Sequence, residues 1–237
     1  LFPVSSIILQ RFSLLWLQHN ITCANRVGMV QGVVIEDGHI VDRSPADNTI
    51  YAKVPVSTVD EIDASLLAAK EAQPAWNAVP LAQRVALLCT SVKETLTPQI
   101  DALAEIVVKE MGKVLSEAKE EVQGAADKDA YMALVKAANQ PQLVDNCLIV
   151  RDAHGVVAIC APWNFPVDEI LLLALPALAA GNAVVIKPSE VAPLAGAASV
   201  AALQAKLPPG LVGLVQGDGA HELREPTPQP STLSPQL

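Results

Sequence analysis

The spacing of apolar positions changes character twice along the chain. After Met29 it is β-like: Val33, Val34 and Ile35, then His39, Ile40 and Val41, are separated by Glu36-Asp37-Gly38, a hairpin turn. The turn residues Ser44-Pro45-Ala46-Asp47-Asn48 lead into a third strand over 51–56. From Thr58 the period becomes helical. Thr58 with Glu61 three residues on predicts a capping box. Ile62, Leu66 and Ala69 continue one inward face until Pro74 and Trp76. Pro80 opens a second helix with Val85, Leu88 and Val92 inward. Thr97-Pro98 opens a third with Ile100, Leu103, Ile106 and Val107 inward, closing near Met111-Gly112. A fourth is predicted over 116–138, its charges forming a solvated outer face, followed by a loop over 140–144 and a short strand over 148–150.

The period changes again at Gly155. Residues 155–219 read strand, loop, helix, strand, loop, helix, strand, with Gly181 ending the first helix and Pro193 opening the second. Parallel strands joined by helices cross over with a right hand, so this is half of a doubly wound α/β nucleotide-binding domain with a parallel sheet. The three loops that follow the strands fall on the same carboxyl edge, where open α/β sheets bind ligands. They carry polar groups that a core segment has no use for. Trp163 and Asn164 lie between Pro162 and Pro166, Lys187 and Glu190 flank Pro188, and Gln216-Gly217-Asp218-Gly219 follows the third strand. A GxGxxG turn after the first strand is missing, and the Gly217-Asp218-Gly219 turn comes two strands late. A dinucleotide therefore has to be held in another way.

Composition narrows the class. Hydrophobic residues are 51% of the chain and aromatics only 3%, an Ala-, Val- and Leu-rich mixture that suits helices packed on a buried parallel sheet. A net charge of −9, from 16 basic and 25 acidic residues with no basic run, argues against nucleic acid as a partner. Cys23, Cys89, Cys147 and Cys160 have no CxxC spacing and the histidines are isolated, so neither a disulfide framework nor a metal site is expected. The apolar run over 7–17 is too short to span a bilayer and is interrupted by Gln10 and Arg11, and no membrane partner is expected.

The ordered motifs resemble the aldehyde dehydrogenase superfamily. They are Pro162-Trp163-Asn164-Phe165-Pro166, Gly181-Asn182, Lys187-Pro188-Ser189-Glu190, Pro208-Pro209-Gly210 before a strand, and Gly217-Asp218-Gly219. Upstream, Pro45-Ala46, Val54-Pro55, Ala75-Trp76, Glu110-Met111-Gly112-Lys113, Glu117-Ala118 and Glu121-Val122 match in the same order. The resemblance implies oxidation of an aldehyde substrate to a carboxylic acid with NAD, NADP being the alternative, in a family whose full-length members form homo-oligomers. It assigns Asn164 to an oxyanion hole and Lys187 and Glu190 to the adenosine ribose hydroxyls, with Glu190 disfavouring a 2′-phosphate. Cys160, Ala161 and Trp163 would line the nicotinamide side through their backbone, and Gly217 would belong to the same cofactor edge. Cys160 itself precedes the loop, on the wrong side for the family's nucleophile, and reads as a buried, inert thiol.

Further expectations concern the rest of the chain. Residues 1–28 read as an extension to a dinucleotide-binding portion over 29–220, either upstream sequence before Met29 or a mitochondrial transit segment, with the cytoplasm as the default compartment. Asn20-Ile21-Thr22 matches a glycosylation acceptor by chance as easily as by design. Residues 221–237 are proline-rich and read as a disordered tail that departs from the family pattern at His221. The family's nucleophilic cysteine and general-base glutamate have no counterpart here, so the chain is expected to give no turnover; the alternative is a silent short form that binds nucleotide or pairs with a full-length subunit. A sheet ending after three strands is expected to leave an open edge and an uncovered apolar face.

Overall fold

The computed structural model describes residues 33–218; the expectations for residues 1–28, for Gly219 and for 221–237 lie outside the described residues. The chain opens with a three-stranded antiparallel sheet, β1 (Val34–Glu36), β2 (His39–Arg43) and β3 (Ile50–Pro55). Asp37 and Gly38 both have positive φ (49° and 73°), the type I′ geometry that a two-residue hairpin requires. The expected hairpin and third strand are present. Ile40, Val41 and Val54 turn inward.

Five helices follow: α1 (Val59–Asn77), α2 (Leu81–Leu96), α3 (Ile100–Met111), α4 (Leu115–Ala126) and α5 (Asp129–Asn139). The Thr58 hydroxyl accepts from the Glu61 N–H and the Glu61 carboxylate accepts from the Thr58 N–H, so the capping box forms. Val85, Leu88, Val92, Leu103 and Val107 are buried as the helical period requires. Gly112 ends α3 at φ 67°, a left-handed cap that only glycine adopts without strain. Three expectations are corrected. Leu66 is exposed and α1 continues through Pro74 to Asn77, because the face that packs is set by Ala69 and Trp76. The expected fourth helix is two, α4 and α5, broken at Asp127-Lys128, where Lys128 is drawn into an ion pair with Asp168 far along the chain. The expected loop over 140–144 contains β4 (Gln142–Val144), which pairs antiparallel with β5 (Cys147–Ile149) through a turn at Asp145 and Asn146, both with positive φ.

The remaining elements are β6 (Val156–Cys160), α6 (Asp168–Ala179), β7 (Ala183–Lys187), α7 (Pro193–Gln204) and β8 (Val212–Leu214). The strands are parallel in the order β6-β7-β8, with Cys160 opposite Lys187 and Ile186 opposite Leu214. This is the α/β nucleotide-binding half expected of the sequence. Ala183, Val184 and Ile186 are wholly inaccessible, so the central strand is covered on both faces. Helices α6 and α7, the crossovers, supply one cover. The other is α1, which packs on all three strands, so the apolar face expected to stand open is closed by a segment from the amino-terminal half. The fit is close: a Cβ on Gly213 of β8 would lie 2.1 Å from the Ser65 hydroxyl of α1. Trp76 anchors the layer, its indole N–H donating to the Leu178 carbonyl at 2.8 Å.

Candidate dinucleotide site

Strand β7 ends at Lys187, and the chain turns through Pro188, Ser189 and Glu190 into α7. The Lys187 ammonium is only 12% exposed and is held by three acceptors. Its Nζ donates to the Pro188 carbonyl at 2.9 Å, to the Gly217 carbonyl at 3.1 Å and to Glu190 Oε2 at 3.2 Å. Lys187, Glu190 and Gly217, separated along the chain, thus meet at one point above the carboxyl edge of the sheet. A surface lysine at a strand end would stand free in water; this one is fixed, with a carboxylate beside it that remains partly open. A donor and an acceptor side by side are what a vicinal diol needs, one hydroxyl accepting from the ammonium and the other donating to the carboxylate.

The loop after β6 joins the same edge. The Ala161 N–H donates to the Lys187 carbonyl at 2.9 Å, extending the ladder one residue past Cys160. Ala161 is buried, whereas the Cys160 side chain is exposed. The expectation of a buried thiol is therefore wrong: β6 is an edge strand of the described sheet, and Ala158 and Cys160 lie exposed on it. Trp163 is 54% exposed and forms no part of the core. The Asn164 side chain is exposed and, among the described residues, makes no hydrogen bond of its own. A loop asparagine that caps its own backbone would not be left so.

What orders Trp163 and Asn164 is a group that the sequence reading did not single out. Lys113, just after α3, donates from Nζ to the Asn164 backbone carbonyl at 3.0 Å and to Glu121 Oε2 at 2.5 Å. It also lies 4.0 Å over the Phe165 ring, a cation–π contact. The other oxygen of Glu121 accepts from the N–H groups of Val167 and Asp168 at 3.0 and 3.3 Å, in the first turn of α6. The Glu121 carboxylate, 1% exposed, therefore caps α6 and neutralises the lysine that grips the loop. The charges of α4 were expected on a solvated face; Glu121 is the exception, because the α6 amino terminus needs an acceptor there.

A second glutamate does the same for the other loop. Glu110, at the end of α3 and 3% exposed, accepts from the Leu194 N–H at 2.7 Å and from the Ala195 N–H at 2.9 Å, the first turn of α7. Its neighbour is another acid, Asp42 of β2, 4% exposed, whose Oδ2 has no hydrogen-bond partner among the described residues. Burial is the main cause that pushes the Glu110 carboxyl up to about 8; the two N–H donors pull it back, and Asp42 lifts it further. Burial raises Asp42 as well. Both glutamates fall within the motifs that carry the family resemblance, which is the one signal that could have marked them. On α7, Gly196 sits so tightly on Pro188 that a Cβ would come within 2.3 Å of the proline ring. Gln216 ties the third loop in by donating from Nε2 to the Pro193 carbonyl at 3.0 Å.

With this geometry in place, comparison with known proteins adds the following. A model of the Aldehyde dehydrogenase family matches residues 34–230. The 3,6-anhydro-alpha-L-galactose dehydrogenase of Streptomyces coelicolor is 38% identical over 185 residues, which are 74% of this chain and 37% of that protein. Among solved structures, an NAD-dependent benzaldehyde dehydrogenase from Corynebacterium glutamicum matches with a TM-score of 0.70 and 30% identity, over 78% of this chain and 42% of that one. An NADP-dependent glyceraldehyde-3-phosphate dehydrogenase from Bacillus halodurans, complexed with NADP, matches with a TM-score of 0.70 and 28% identity, over 77% and 40%. The chain spans about two fifths or less of the length of these relatives.

Proposed function

The chain belongs to the aldehyde dehydrogenase family, and from that premise we propose that residues 155–218 hold the dinucleotide of an NAD(P)-dependent oxidation of an aldehyde to a carboxylic acid. The observation that carries this reading is the Lys187 ammonium, buried between Glu190 and the Gly217 carbonyl at the edge where three strands end. Lys187 donates to one ribose hydroxyl of the adenosine half and Glu190 accepts from the next. A 2′-phosphate there would face the Glu190 carboxylate, so NAD is favoured over NADP.

The Ala161–Asn164 backbone and the Trp163 ring border the nicotinamide end. When bound, the dinucleotide supplies a hydride acceptor. The Asn164 amide, which has no competing partner among the described residues, donates to the aldehyde oxygen as that oxygen gains negative charge. A donor of this kind is worth a factor of roughly 10²–10³ in rate. Lys113 keeps it in place through the Asn164 carbonyl.

Calorimetry with NAD, NADP and ADP-ribose tests the reading. ADP-ribose and NAD should bind alike, NADP more weakly, and Glu190→Gln should narrow the gap between NAD and NADP. Equal binding of all three to a Lys187→Met variant would remove the assignment.

A further inference from the structure

We propose that Asp42 and Glu110 share a single proton, and that this proton holds the first turn of α7, and with it the Lys187–Glu190 cradle, in its closed form. The inference rests on the proposed dinucleotide site only for its functional consequence; the proton-sharing pair stands on its own geometry. Both carboxyls are buried, and they meet side chain to side chain. Two unscreened carboxylates in contact are not tolerated in such a place.

The surroundings divide the proton between the two acids. Both oxygens of Glu110 accept N–H groups, from Leu194 and Ala195, at the positive end of α7, which favours charge there, while burial and Asp42 push the Glu110 carboxyl up to about 8. Among the described residues Asp42 Oδ2 has no partner, which favours a proton on Asp42, while the hydrogen bond with Glu110 lowers the Asp42 carboxyl against the burial that raises it. Tyr51 of β3 and Glu105 of α3 complete the ionisable surroundings: burial first, then Glu110, Asp42 and Glu105, push the Tyr51 hydroxyl up, so it stays neutral and adds no charge. The α7 side of the cluster offers backbone N–H groups alone.

The path to the cradle is short. Leu194 and Ala195 are followed by Gly196, which lies against Pro188, next to Lys187, while Glu190 stands three residues before the start of the same helix. Opening this turn releases the proton to water, because a solvated carboxyl titrates near 4.5 whereas burial pushes the Glu110 carboxyl up to about 8. The closed form is therefore favoured fully below about pH 4.5 and loses that advantage steadily as the pH rises to about 8. The Val167 and Asp168 N–H groups are capped by Glu121, whose counterion is Lys113, so no shared proton is needed there.

Amide hydrogen exchange on the full chain, corrected for intrinsic rates, reads this directly. Protection of the Leu194 and Ala195 amides should fall by roughly tenfold per pH unit between about 5 and 8 and then level off, while Val167 and Asp168 hold theirs. Asp42→Asn should flatten the Leu194 and Ala195 profile. Parallel behaviour of all four amides, or a slope that survives Asp42→Asn, overturns the proposal. NAD affinity, measured at about pH 5 and at about pH 8, should be weaker by roughly tenfold or more at the higher pH. An unchanged Kd beside a clear exchange slope breaks the link from the pair to the cradle. If NAD binds at neither pH, the proposed function fails, and the exchange profile still decides for or against the shared proton.

Discussion

Two loops on the same sheet edge are held by the same device with opposite electrostatic consequences. Each is followed by a helix whose first turn is capped by a buried glutamate from the amino-terminal helices, Glu121 for α6 and Glu110 for α7. Glu121 is neutralised by Lys113, a cation that also grips the Asn164 loop. Glu110 faces Asp42 and depends on a proton. The first arrangement carries its own counterion; the second is adjustable through its proton. The rigid loop is the one proposed to place a hydrogen bond at a reacting oxygen, where a displacement of 1 Å is costly. The adjustable loop is the one proposed to take up a ribose.

Four substitutions sharpen or break this contrast. Glu121→Ala strands a mostly buried lysine and two N–H groups, and should cost about 3–5 kcal/mol in urea unfolding. Glu110→Ala leaves the Leu194 and Ala195 donors unmet but also removes one of two crowded acids, so the expected loss is about 1–3 kcal/mol. That loss should be larger at pH 6 than at pH 9, because the shared proton stabilises only below about 8. Lys113→Met keeps the Glu121 cap and removes its counterion, for a cost of about 1–3 kcal/mol. It should also loosen the Trp163 environment, read as a change in tryptophan fluorescence. Thr58→Ala, at the exposed capping box of α1, should cost about 1 kcal/mol at any pH. If Glu121→Ala costs no more than Thr58→Ala, burial contributes nothing to these caps and the comparison fails.

The parts of this arrangement that could be read from the sequence are those whose partners lie nearby. The Thr58–Glu61 box is three residues long, and the Asp37-Gly38 turn is local. The parallel strands announce themselves by apolar runs ending in polar loops, which is why Asn164, Lys187, Glu190 and Gly217 were expected on one edge. Glu110 and Glu121 are different. Their acceptors serve N–H groups 84 and 46 residues away, and in a helical sequence they look like any outward charge. The break between α4 and α5 was hidden for the same reason: no glycine or proline marks Asp127-Lys128, and the ion pair that accompanies it is made with Asp168. Exposure of Cys160 was missed because burial was inferred from neighbouring apolar residues, whereas the edge position of β6 is a matter of topology.

The cover that α1 provides to the parallel sheet has a consequence for how the protein is made. Trp76 leaves the ribosome 102 residues ahead of Leu178, the residue whose carbonyl receives its indole N–H. At cellular elongation rates that is an interval of about 5–20 s. Gln73 and Arg84 wait in the same way, for the carbonyls of Gly181 and Ala179. Through that interval the apolar side of α1 has no sheet to lie on, so nascent chains halted before β7 should be the preferred cargo of ribosome-associated chaperones, and chains released after β8 should not.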